Sequence, residues 1–179
     1  MNKHRSVDQS ELLVVVNAED QVIGAKKRDD VHRLGLRHRS VHILVFDLKA
    51  RLFLQKRSLY KDNNPGLWDS SVAGHVDDGE SYDDCCVREI QEEIGIQLGA
   101  PPDRLFKIDA CPESGMEFSW VYKLITSATL NLNYEEIEMG RWVEPRELDR
   151  MLLVNESTFA ETFPIIWKRY KAYMKNISH

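Results

Sequence analysis

Glu89, Glu92 and Glu93 lie at i, i+3 and i+4 in the stretch Val87-Arg88-Glu89-Ile90-Gln91-Glu92-Glu93-Ile94. On a helix these three carboxylates share one face, with Cβ atoms about 5–6 Å apart. Val87, Ile90 and Ile94 fall on another face and are expected to anchor the helix to a core. Carboxylates this close repel by a few tenths of a kcal/mol per pair even in water. A divalent cation would remove the repulsion, and hard oxygen donors suit Mg²⁺ or Mn²⁺. Taken alone, the glutamates are equally explained by a solvated acidic face partly neutralised by Arg88.

The elements needed to hold such a site are legible along the chain. A helix is expected over residues 81–94, with Gly79 and Ser81 suiting its start and Gly95 its stop. Residues 12–17 and 22–26 read as a hairpin around Ala18-Glu19-Asp20-Gln21. Residues 41–47 and 52–56 read as two more strands, followed by a loop over 61–66 rich in Asn, Pro and Gly. Further strands are expected at 70–73, 105–110, 118–126 and 139–143. A helix opens near Pro145, and an amphipathic one runs over 158–173 with Phe159, Phe163, Ile166, Trp167 and Tyr170 near one face. The elements do not alternate with a regular βαβ period, so the expected fold class is α/β (α+β) with a mixed sheet covered by helices.

Composition bounds the partners. The chain has 179 residues, 42% of them hydrophobic and 30% charged, with a net charge of −5. One domain is expected, with residues 1–37 as an N-terminal β extension packed on the body formed by 38–179. A mildly acidic balance argues against bulk attraction to nucleic acid or an anionic membrane. No apolar run approaches the roughly 20 residues of a membrane helix. The basic residues 1–5 precede a short apolar run interrupted by Glu11, so no secretory signal is expected. Cys85, Cys86 and Cys111 form no disulfide framework, and a cytoplasmic setting follows.

The whole segment from Gly74 to Ile96 reads G-x5-E-x7-R-E-U-x-E-E-x-G-U, with Ile90 and Ile96 at the aliphatic U positions. It resembles the Nudix box at every defined position; a chance match is on the order of 10⁻⁸ at average residue frequencies. The resemblance implies an α/β/α sandwich and metal-dependent hydrolysis of a nucleoside diphosphate derivative or another small diphosphate. In that family the metal is Mg²⁺ or Mn²⁺, held by residues matching Glu89, Glu92 and Glu93. Gly74, Glu80 and Gly95 match the box positions that shape loop and helix. The cation neutralises the multiply anionic diphosphate and makes water a usable nucleophile, and a glutamate not fully engaged with it takes the proton. Glu92 and Glu93, with Arg88 beside them, are the catalytic candidates.

The flanks Arg37-His38-Arg39-Ser40-Val41-His42, Leu54-Gln55-Lys56-Arg57, Lys61, Pro65-Gly66-Leu67-Trp68-Asp69 and Ser71-Val72-Ala73-Gly74-His75 resemble the isopentenyl-diphosphate-isomerase-like branch of the superfamily. The isomerases carry a cysteine where this chain has Ala73, and a methyl group cannot transfer the proton of an allylic isomerisation. Glu117 matches an acidic residue of the isomerases and is a candidate ligand or base. His32, His38 and His42 are candidates for a second metal, and His75 for a place near substrate. Arg37, Arg39, Lys56, Arg57 and Lys61 form a basic set suited to substrate phosphates. Glu135, Glu136 and Glu138 are expected to be a solvated acidic turn. A small-molecule diphosphate is the implied partner, and a homodimer is left open. A residual isomerase, a non-catalytic nucleotide-binding module and an RNA 5′-end hydrolase are the competing readings, and the lack of a long basic surface segment weighs against the last.

Overall fold

The structure, a computed structural model, describes residues 11–177; the basic residues 1–5 lie outside that span. Strand β3 (His38–Phe46) is the axis of a nine-stranded mixed sheet. Its run Val41-His42-Ile43-Leu44-Val45-Phe46 is buried throughout, the pattern of a strand covered on both faces. On one side it pairs in parallel with β8 (Glu117–Ile125), from His38 opposite Glu117 to Phe46 opposite Ile125. On the other it pairs antiparallel with β6 (Val72–His75), His42 facing Ala73 and Ser40 facing His75.

The hairpin of β1 (Leu12–Val16) and β2 (Val22–Lys27) joins the same sheet where Val15 meets His38. It is followed by a six-residue helix, α1 (Arg28–Arg33), which the sequence pattern does not announce. Strand β4 (Leu52–Arg57) carries β5 (Trp68–Asp69) and β9 (Ile137–Val143), while β7 (Asp103–Ile108) pairs with β8.

Helix α2 (Tyr82–Ile94) covers one face of the sheet. Ser81 caps its start by accepting from the Asp84 amide at 3.2 Å, and Gly95 ends it at φ 71°. Tyr82, Cys85, Cys86, Ile90 and Ile94 pack on Val41, Ile43 and Val45. The two cysteines are therefore core residues, whereas Val87, expected to anchor the helix, is only half-buried. Helices α3 (Pro145–Asn155) and α4 (Thr162–Ile177) cover the other face, where Leu148, Phe163, Ile166, Trp167 and Tyr170 meet Leu44, Phe46, Leu52 and Leu54. Helix α4 begins four residues later than the periodicity suggests. Residues Glu156–Thr158 form a separate 3₁₀ turn, and Pro164 sits in the first turn of α4, where its missing N–H costs nothing. Among the described residues no helix is long and apolar enough to cross a membrane.

The hairpin turn is tied to the sheet by one carboxylate. Asp20 accepts from Arg39 Nε at 2.7 Å and Tyr82 OH at 3.0 Å, and it also pairs with Lys107. Burial alone would raise its pKa, but the bonds from Lys107, Arg39 and Tyr82 outweigh it and hold the carboxyl below its ordinary 3.8. A depressed folded-state pKa contributes stability above the unfolded value that is lost as pH falls through the folded one. Asp20→Asn should therefore destabilise the protein at pH 7, and the deficit should shrink below pH 3.8, as read by urea midpoints at both pH values.

Candidate functional site

The Glu89 side chain of helix α2 lies directly against Gly74 of strand β6. A Cβ on Gly74 would lie 2.0 Å from the Glu89 carboxyl carbon and from its Oε1. The missing side chain of the box glycine thus leaves the Glu89 carboxyl its place. Glu89 and Glu93 are buried, while the Glu92 side chain is 57% exposed at the rim. Arg88 binds both Glu80 oxygens at 2.8 and 2.9 Å, the Glu89 Oε1 at 2.7 Å and the His75 carbonyl at 3.1 Å. It also reaches Glu92 at 3.2 Å, so one guanidinium joins the loop after β6 to the helix. Gln55 Nε2 donates to Glu93 at 3.0 Å.

Burial raises the Glu89 pKa to about 7 despite the pull of Arg88. Burial also pushes Glu93 well above the carboxylate range, and the neighbouring Glu89 adds to it. Two buried acids held side by side without sufficient cationic charge fit a divalent cation as their partner, with oxygen donors appropriate to Mg²⁺ or Mn²⁺.

A second donor cluster lies nearby. His32 from α1, His38 from β3, His75 from β6 and Glu117 from β8 bring one ligand atom each within 4.8 Å of one another. The three rings are 5.0–5.1 Å apart, and Glu117 Oε1 lies 3.2 Å from His75 Nε2 and 3.5 Å from His38 Nε2. His32 Nε2 and His38 Nε2 are buried with no hydrogen-bond partner. The other nitrogen of His38 is held 2.9 Å from the Leu36 carbonyl, the arrangement that orients a metal-binding imidazole. Burial drives the His75 pKa down to about 3 and, with the nearby His38, lowers that of His32. Burial opposes ionisation of Glu117, but the His75 hydrogen bond and the nearby His38 ring prevail and keep it well below its ordinary value. Neutral His32 and His75 imidazoles beside an ionised Glu117 are the states that ligate metal. His42 does not join this cluster. It lies four residues along an extended strand from His38, about 13 Å at 3.3 Å per residue, and bonds Ser70 instead.

Glu89, Glu92 and Glu93, together with His75 and Glu117 of the second cluster, line one cavity of about 920 Å³. Arg57, Lys61 and His75 of the sequence-derived substrate set line it. Arg37, Arg39 and Lys56 do not. Arg37 is exposed, Arg39 is committed to Asp20 beneath the hairpin, and Lys56 pairs with Glu138 at 3.1 Å. Strand alternation explains this, because Arg37 and Arg39 flank His38 and point away from its face. Glu135 is exposed in a turn, as expected; Glu136 is half-buried and paired with Lys61, and Glu138 is exposed on β9 and paired with Lys56. Sequence reasoning missed Arg28, which is buried, lines the cavity and pairs with Glu11 at 3.0 Å. Its spacing of four from His32 would have placed both on one helical face. Asp77, Tyr60 and Tyr134 also line the cavity without having been singled out.

The mixed sheet and its covering helices gather carboxylates, histidines and cationic side chains in one cleft. Residues 36–163 match the NUDIX domain family, and the chain belongs to it as a Nudix hydrolase. An isopentenyl-diphosphate Delta-isomerase of Serratia proteamaculans is 31% identical over 161 residues, covering 88% of this chain and 90% of its own. An uncharacterized Nudix hydrolase of Pseudomonas aeruginosa is 34% identical over 145 residues, covering 79% and 83%. A crystal structure from Deinococcus radiodurans superposes with a TM-score of 0.72 at 29% identity, covering 80% of this chain and 90% of that one. These relatives are consistent with the isomerase-like branch.

Gly74→Ala tests the close approach directly. The added methyl must displace the Glu89 carboxyl, so Mn²⁺ affinity measured by calorimetry should fall about tenfold or more.

Proposed function

We propose that this protein hydrolyses a phosphoanhydride bond in a nucleoside diphosphate derivative or other small diphosphate, using Mg²⁺ or Mn²⁺. The observation that carries this reading is the pair Glu89 and Glu93, buried together beneath Gly74 in a cavity that also presents Arg28, Arg57 and Lys61. When bound, the divalent cation offsets diphosphate charge and lowers the pKa of the attacking water.

The chain supplies the rest. Arg28 has a buried Nε without a partner, and Arg57 and Lys61 stand paired with Asp69 and Glu136, so all three can turn charge toward phosphate oxygens. Arg88 spans Glu80, Glu89 and Glu92 and is a positioning residue. Water's oxygen bonds to phosphorus, the bridging P–O bond breaks toward the leaving phosphate, and the water proton passes to a glutamate. Glu93 is our first candidate for that base, with Glu117 the alternative. His32, His38, His75 and Glu117 would hold a second cation. Three cysteines without disulfide partners support a cytoplasmic setting.

The isomerase relative raises a second reading, and Ala73 weighs against it. The methyl group stands where those enzymes use a cysteine, and neither Cys85 nor Cys86 replaces it, since both lie on α2 and are buried in the core.

A panel of diphosphate compounds assayed for phosphate release with Mg²⁺ or Mn²⁺ tests the proposal. At least one compound should be cleaved, and Glu93→Gln should lower kcat by roughly 10²–10⁴-fold. Release from no compound, or full activity in Glu93→Gln, would refute it. Conversion of isopentenyl diphosphate to its isomer at a comparable rate would favour the isomerase.

A further inference from the structure

His42 is a buried, titratable group that neither donor cluster uses. It is 5% exposed, yet it forms part of the cavity wall. Its Nδ1 lies 3.0 Å from Ser70 Oγ, and Ser70 is itself fully buried, with its amide bonded to the Asp69 carboxylate at 2.7 Å. The ring is therefore pinned at one nitrogen. Among the described residues its Nε2 has no hydrogen-bond partner, and the residue lines the cavity. Leaving such a nitrogen unpaired against an apolar ligand carries a desolvation cost that a polar ligand avoids.

Strand geometry says which part of a ligand it meets. Gly74 faces Glu89 on the α2 side of the sheet. Successive residues of a strand alternate faces, so Ala73 and its cross-strand partner His42 face the opposite side. A ligand that reaches both the carboxylates and His42 must extend beyond its diphosphate. The small Ala73 side chain leaves room for it, and Ser40 and Asp69 keep the surrounding wall polar.

We infer that His42 is a specificity-determining residue: its Nε2 hydrogen-bonds a hydroxyl or carbonyl oxygen of the group esterified to the diphosphate. The preferred substrate then carries a polar nucleosidyl or glycosyl substituent and not a hydrocarbon chain. This rests on the proposal that the cavity takes a diphosphate, and the test separates the two. Methylenediphosphonate, α,β-methylene-ADP, a glycosyl methylenediphosphonate and an alkyl methylenediphosphonate are titrated with Mg²⁺ into the wild type, His42→Phe and His42→Asn by calorimetry. At least one polar probe should bind the wild type about tenfold more tightly than bare methylenediphosphonate. Both variants should lose that margin while binding the bare probe unchanged. In the ¹⁵N-histidine-labelled wild type, the His42 Nε2 resonance should shift with the favoured polar probe only. A wild type that gains nothing from either polar group, or prefers the alkyl probe, overturns the inference, as does a margin kept in both variants. Binding of no probe at all, the bare one included, instead removes the diphosphate reading beneath it.

Discussion

Two acids that repel each other are held beside one another inside the protein, and much of the surrounding structure exists to keep them there. Glu89 and Glu93 are buried on one face of α2, which a chain tolerates only with compensating charge or ligation. Arg88 supplies part of that charge and simultaneously fastens the loop through Glu80 and the His75 carbonyl. Gln55 reaches across from β4 to Glu93. The missing side chain at Gly74 gives Glu89 its space. Packing of Cys85, Cys86, Ile90 and Ile94 then fixes the helix that carries the acids.

Strand β3 divides the molecule along its length. Its residues facing α4 pass from His38, Ser40 and His42 to Leu44 and Phe46. The apolar half packs beneath Phe163, Trp167 and Tyr170, and the polar half forms the cavity floor and the histidine cluster. One strand thus sets where the core ends and the cleft begins. Neighbouring strands bring their chemistry by register: β8 places Glu117 beside His38, Ser119 meets Ser40 at 2.6 Å, and β6 places His75 opposite Ser40.

What the sequence disclosed follows the range of each interaction. Helix α2 was legible because its cap, its stop and its carboxylate spacing are local signals, and Gly74 because it belongs to a contiguous motif. Helix α1 was hidden, since Arg28-Asp29-Asp30-Val31-His32-Arg33 has a single apolar residue and shows no period. The basic set was grouped by nearness in sequence, and alternation along β3 then sent Arg37 and Arg39 away from the cleft. Nearness in sequence groups His42 with His32 and His38 in the same way. The actual companions of His38 come from β6 and β8, and only the pairing of distant strands reveals them.

The hairpin and α1 lie before the region shared across the family, yet they are woven into the sheet. A chain trimmed to residues 36–163 would lose His32 and Arg28 and strip the cover from β3 at His38. The trimmed chain would also lack Ile166, Trp167 and Tyr170, exposing the apolar half of the sheet. Such a fragment would carry every residue of the sequence motif and still present bare strand edge and core to its neighbours, which invites aggregation. The portable unit of this protein is therefore larger than its recognisable one, and grafting or shuffling by motif boundaries would carry the signature without the machinery.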